Sequence, residues 1–152
     1  MTLNPGTAAN LVSEIFDLQR AVRCIASASS RGEGIGPALH FVLRLVNEGE
    51  CRATRLAERL GVGTPVLSRQ IAELEEQGLV VRRKDPDDRR AHVVALTPLG
   101  ADKLEHLEGK RSAMFQEYLL DWTEGDATRA ADVLRQLTKS LRSDPGRQED
   151  TA

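Results

Sequence analysis

Six basic side chains set the chemistry open to this sequence. Arg69 stands in a stretch, 64–72, that holds no carboxylate. Arg82, Arg83, Lys84, Arg89 and Arg90 follow in a short ribbon, 79–96, where they face Asp85, Asp87 and Asp88. A guanidinium matches the paired acceptors of guanine, O6 and N7, and either type of cation matches a phosphate. These positions suit contact with nucleic acid. Signals for other chemistry are missing. No glycine-rich phosphate loop, nucleophile elbow or metalloprotease helix is written in the chain, and no carboxylate pair stands out from a charged surface. His40, His92 and His106 fall on three separate elements without a Cys or carboxylate at ligand spacing. Neither an enzyme, a metal site nor a cofactor is expected.

The elements that would hold Arg69 read as a helix-turn-helix. A first helix is expected from Thr54, a favoured N-cap type, to Leu60, with Leu56, Ala57 and Leu60 on one face. Gly61 fits the left-handed position that ends a helix. Val62 can plug the angle between the helices, and Gly63 keeps the turn open. The second helix is expected to open with Thr64 as N-cap and Pro65 at the first helical position. Leu67, Ile71 and Leu74 then form one apolar stripe, and Gly78, after Gln77, ends the helix. With that stripe buried, Pro65, Arg69, Ala72, Glu73 and Glu76 lie opposite, flanked by Val66, Ser68 and Gln70. The acids crowd the C-terminal half. A helix entering the major groove by its N-terminal end needs that division, because phosphates repel carboxylates and favour the positive end of the helix dipole. Arg69 is the candidate for a base edge; Thr64, Ser68 and Gln70 can serve phosphates or bases. An ordinary pair of surface helices would share much of this pattern.

Leu79–Lys84 and His92–Leu96 are β-branched runs around a Pro- and Asp-rich turn, which reads as a hairpin. Its basic excess, on a chain of net charge −2, marks a local footprint for phosphate or for a narrow minor groove. A solvated ribbon with internal ion pairs is the alternative. Cys51, Arg52 and Ala53 can add a third short strand. Arg52, Arg55, Arg83 and Lys84 can then reach the DNA backbone.

Taken in order, LSRQIAELEEQGLV (67–80), the strand after it, DPDDRR (85–90) and ALTPLG (95–100) resemble the winged helix of the MarR family, the multiple antibiotic resistance regulators. Asp88 and Arg90 match the family's Asp-x-Arg wing signature. The resemblance implies that Arg90 enters the minor groove and that Asp88 holds the wing in shape. It covers this core closely and the flanking helices by length and pattern. It further implies a homodimer interlocked by terminal helices, and an anionic or phenolic effector in a crevice between those helices and the DNA-binding lobe. The sequence does not specify that pocket.

With 152 residues, the chain is expected to be one domain. Only 3% is aromatic, so Leu, Val and Ala must fill the core, and most of Phe16, Phe41, Phe115, Tyr118 and Trp122 are expected to add to it. No apolar run reaches membrane length and no secretion signal is visible. Two cysteines make no disulfide framework, and the cytoplasm is the expected compartment. A helix is expected over 10–29 after a loose tail, 1–9, with Leu11, Ile15, Leu18, Val22 and Ile25 as a near-heptad seam. Pro37 starts another to about Asn47. Pro98, with Thr97 as N-cap, opens a long helix ending near Asp121–Glu124. A last helix runs from about Glu124 to Leu141, stopped by Pro145 and Gly146 before a loose GRQEDTA end.

The expected fold is mainly α with a small β-hairpin wing: a winged helix-turn-helix core over 36–97, and N- and C-terminal dimerisation helices over 10–29 and 98–143. The expected function is a homodimeric, sequence-specific regulator of transcription on a palindromic duplex, a repressor relieved by a small molecule. A protein-interaction module is one alternative, since winged helices also serve as adaptors. A cysteine-based redox sensor is another. Cys24 is expected to be buried and inert. Arg52 and Arg55 can lower the pKa of Cys51.

Overall fold

The computed structural model describes residues 2–143. The chain divides into two compact units, Met1–Phe115 and Gln116–Ala152. In chain order the elements are α1 (Pro5–Ser29), α2 (Pro37–Asn47), β1 (Cys51–Arg52), α3 (Ala53–Leu60), α4 (Thr64–Glu76), β2 (Val80–Lys84), β3 (His92–Leu96), α5 (Pro98–Tyr118) and α6 (Glu124–Arg142). The three strands form one antiparallel sheet in the order β1-β3-β2. This is the mainly helical fold with a small wing that the sequence predicts.

Helix boundaries follow local chemistry, with three helix starts that depart from expectation. α1 starts at Pro5, inside the stretch expected to be loose. Asn4 caps it, its side-chain oxygen accepting from the Gly6 amide at 2.8 Å, and Pro5 supplies the preset φ. In α3 the N-cap is Arg52 and not Thr54, because pairing with Val93 holds Arg52 extended one residue before the helix. In α4 the N-cap is Gly63, so Thr64 and Pro65 are the first two helical residues. Gly61 and Gly78 adopt φ of 66° and 71°, as the two helix ends require. The expected stop at Pro145–Gly146 and the loose end beyond it lie outside the described residues.

The core of the first unit is aliphatic. Leu39, Val42, Leu43 and Val46 from α2, Leu56 and Ala57 from α3, and Leu67, Ile71 and Leu74 from α4 are buried with Val80, Val94, Leu104 and Leu107. Each stripe follows the 3.6-residue period of its helix. The aromatic contribution expected there is missing. Phe16, Phe41, Tyr118 and Trp122 are all exposed, and Phe115 is half-buried.

Thr97 joins α4 to α5. Its hydroxyl donates to the carbonyl of Gly78 and accepts from the amide of Gly100 at 3.0 Å, while its own amide donates to the Leu79 carbonyl at 3.1 Å. A second tie runs through the α1–α2 loop. Gln77, the C-cap of α4, donates to the Gly34 carbonyl at 3.2 Å. The neighbouring Glu33 accepts from Lys103 and Lys110 of α5 at 3.1 and 3.0 Å. Lys110, His106 and Lys103 hold the Glu33 carboxyl down to about 2.

His40 is buried on α2, with Nδ1 accepting from Arg111 of α5 at 2.8 Å. That bond fixes the neutral tautomer with its proton on Nε2, which has no partner among the described residues. Burial, then the charges of Arg111 and Arg44, lower the His40 pKa to about 4. The folded state therefore favours the neutral ring. Its contribution is complete above the ordinary value of about 6.5 and is lost as pH falls toward 4. We expect a loss of roughly 3 kcal/mol across that window. Urea midpoints at pH 7 and pH 4.5 should differ strongly in the wild type and much less in His40→Asn. Equal pH dependence in the two proteins would refute the assignment.

The second unit contains the end of α5, a turn closed by Trp122 N–H to Leu119 O at 3.0 Å, and α6. That turn ends α5 at Tyr118, short of the Asp121–Glu124 expected. Thr123 and Asp126 form a reciprocal capping box at the start of α6. No residue of α6 is buried, and Leu120, Trp122, Val133, Leu134 and Leu141 are exposed.

Candidate nucleic-acid interface

The N-terminal half of α4 presents Thr64, Pro65, Val66, Ser68 and Arg69 to solvent. No side chain caps this helix, since its N-cap is a glycine. The first-turn amides of Thr64 and Val66 thus remain available to an acceptor at the positive end of the helix dipole. Gln70 departs from the expected surface. It is half-buried, its Oε1 is buried without a partner among the described residues, and it lines a small cavity with Ala38, Phe41, Leu60 and Val62. In this conformation it does not share the open face with Arg69.

A groove of about 440 Å³ runs between α4 and the base of the wing. Thr54, Thr64, Ser68, Arg52, Arg82 and Arg90 are among the residues that line it. Arg90 of the wing thus lines the same groove as Thr64 and Ser68 of α4, while Arg69 stands outside that lining. Arg89 and Arg90 are exposed at the wing tip. The Arg90 amide donates to Asp88 Oδ1 at 3.0 Å, and the Ala91 amide to the Asp88 carbonyl at 3.0 Å. Asp88 therefore folds the tip locally, by bonding backbone and not the Arg90 guanidinium.

Three expected cations have carboxylate partners. Arg52 Nε meets Asp85 Oδ2 at 2.6 Å, Arg83 meets Glu50 at 3.0 Å, and Arg82 meets Glu75 at 2.8 Å. Arg52 and Arg83, expected at the DNA backbone, are thus already committed, through pairs that cross the edge of the hairpin and are not internal to it. Arg55, Arg69, Lys84, Arg89 and Arg90 make no ion pair among the described residues. Asp85, which sequence reasoning passed over, is the buried acid of the wing. Its neighbours, the Asp87 amide first and Arg52 second, hold its carboxyl below the usual range. The Asp-Pro pair at 85–86 was its one sequence signal, and it reads only as a turn.

The cysteine expectations change. Cys24 is exposed and not buried. For Cys51, burial raises the thiol pKa, outweighing Arg59 and Arg55, which pull it down. A thiol so shifted is less reactive than an ordinary one.

The sequence model of the MarR family matches residues 33–91. The HTH-type transcriptional repressor MdtR of Bacillus subtilis is 30% identical over 117 residues, which cover 76% of this chain and 76% of that protein. The chain belongs to the MarR family. A second relative, the HTH-type transcriptional regulator YxaD of the same organism, is 29% identical over 125 residues, 82% of this chain and 87% of that protein. The solved structure of a MarR family protein from Bacillus stearothermophilus superposes with a TM-score of 0.80 at 18% identity, covering 93% of this chain and all of that one. As a MarR family member the protein is a DNA-binding regulator of transcription with a winged helix-turn-helix. Among the described residues, no helix is long and apolar enough to cross a membrane, and no group of His, Cys, Asp or Glu could hold a metal ion.

Proposed function

We propose that this MarR family protein is a homodimeric repressor that reads a palindromic duplex and is released by a small molecule. The groove that sets Arg90 beside Thr64 and Ser68 carries this reading. The N-terminal end of α4 enters the major groove, with Arg69 at a guanine edge and the free amides of its first turn at a phosphate. The wing places Arg90 in the adjacent minor groove, and Arg55, Lys84 and Arg89 approach the backbone. MdtR, by its name a repressor, supports the sign of regulation. The protein acts by binding and not by catalysis, in the compartment that holds the DNA, the cytoplasm.

Residues 36–97 form the reading core, and 10–29 with 98–143 the dimerisation region. Support comes from apolar surface on the terminal helices. α1 exposes Leu11, Val12, Phe16, Leu18 and Val22, and α6 exposes Val133, Leu134 and Leu141. Apolar stripes of that length are rarely left to water. Two reading helices on a twofold axis would meet half-sites one helical turn apart. Sedimentation at micromolar concentration should show only dimer; a monomer would refute the assembly.

The effector reading rests on a cavity of about 450 Å³ lined by Arg44, Glu108, Arg111, Ser112 and Phe115. Arg111 lines it with a guanidinium whose Nε has no partner among the described residues, a cation that suits an aromatic acid or phenolate. Such a ligand acts by binding one separation of the reading helices better than the other.

Titration with duplex DNA tests the function. Binding should weaken steeply with salt, because each neutralised phosphate adds a slope of about −0.9 in log K against log salt. Salt-independent binding, or none to any duplex, would reject the proposal.

A further inference from the structure

The outer face of the wing sheet carries an unexpected pair. Arg52 of β1 and Arg83 of β2 both sit opposite Val93 of β3, so all three share one face. Their guanidiniums turn to carboxylates. Arg52 spans β3 to reach Asp85, at the root of the wing turn. We propose that Asp85 and Arg52 are positioning residues for the wing: they tie its root to β1, aim Arg90 at DNA, and make no contact with DNA themselves. The inference rests on the DNA-binding reading above.

Every bond of Asp85 serves this role. Oδ2 takes Arg52 at 2.6 Å, Oδ1 takes the Asp87 amide at 2.9 Å, and the Asp85 amide donates to the Ala91 carbonyl at 3.0 Å. The side chain is only 10% exposed, so it is no solvated surface acid. Within the turn, Asp88 bonds the Arg90 amide and the Ala91 amide, both local. Among the described residues, Arg52 is the one ion-pair partner that reaches the 85–91 turn from outside the hairpin. Without it, Asp85 loses its anchor, and the turn both loosens internally and loses its bearing on α4. Arg52 is also a poor phosphate ligand. A phosphate approaching it meets Asp85 in contact, with the charges of Asp88 and Asp87 close enough to act on the guanidinium. Arg90 has no such carboxylate partner among the described residues.

A double-mutant cycle on a duplex selected by the wild-type protein from a random-sequence pool tests the pair. Asp85→Asn should weaken binding about tenfold and flatten the salt slope as Arg90→Ala does. The double variant should bind within about twofold of Arg90→Ala alone, because Asp85 acts through Arg90. Arg52→Lys, which keeps the charge, should retain most of the affinity lost in Arg52→Ala. An additive double variant, or tighter binding by Asp85→Asn, would overturn the proposal, the latter by making Arg52 a phosphate ligand. Amide exchange without DNA gives an independent arm. Protection at Asp87 and Arg90 should fall in Arg52→Ala while core amides keep theirs. If the wild-type protein selects no duplex, the DNA-binding reading fails, and unchanged exchange at those two amides would then overturn the brace on its own.

Discussion

Replacing Gly100 with alanine is expected to destabilise the first unit by about 3 kcal/mol or more. A Cβ at that position would stand 1.9 Å from the Leu79 carbonyl oxygen and 2.9 Å from its carbon. Those are backbone atoms, and they cannot swing aside as a side chain would. The same carbonyl accepts from Thr97, so the start of α5 and the start of β2 are already held together. The new methyl must push the two apart, breaking the packing of Leu104 and Leu107 on one side and Val80 on the other. In urea the midpoint should fall by roughly 1–2 M with the slope kept. Gly109→Ala is the control. Gly109 lies in the same helix, and a methyl group added there would have nothing within 4 Å. It should gain about 0.5–1 kcal/mol from helix propensity alone. Similar midpoints for the two variants would reject the close approach.

Arg69→Ala and Arg90→Ala should both weaken DNA binding, in different ways. Arg69 stands on the open, acid-free half of α4, where a guanidinium can meet guanine O6 and N7. Its loss should cost about 1–3 kcal/mol per half-site against the preferred base and little against the others. The proposed dimer would carry the change twice, so the two costs would add when the half-sites are independent. Arg90 lies on the groove at the wing. Its contact with a minor groove or phosphate carries little base identity, so Arg90→Ala should weaken all sequences more evenly and reduce the salt slope by about 1 for each subunit. Binding curves on a duplex and its single-base variants, at several salt concentrations, separate the two. Unchanged affinity in both variants would mean that the reading face has been misplaced.

Punctuation made much of the fold legible. Pro37 and Pro98 open helices where a missing N–H costs nothing, and Gly61 and Gly78 close helices in a conformation that other residues resist. The stripes of α2 and α4 could be read because a single face is buried. Errors arose where two signals competed. Thr54 and Thr64 were eligible caps, yet strand pairing at Arg52 and the turn at Gly63 moved both boundaries. Asn4–Pro5 is a start signal that the polar, glycine-containing surroundings hid. Phe16 and Trp122 read as core by type, but both are left exposed by their own chain. At the candidate site, exposure of Arg69 and Arg90 follows from helix phase and turn position. The pairings Arg52–Asp85 and Arg83–Glu50 cross 33 residues of sequence, so no local pattern announces them. Gly100 is the same case, since only the folded chain brings Leu79 against it.

The bonds of Thr97 have a mechanical consequence. One hydroxyl clasps the glycine that follows α4 and the first turn of α5, so a displacement of either segment is felt by the other. A twist applied along α5 is thereby passed to the C-terminal end of α4, while the wing turn takes its bearing separately, from β1 through Arg52 and Asp85.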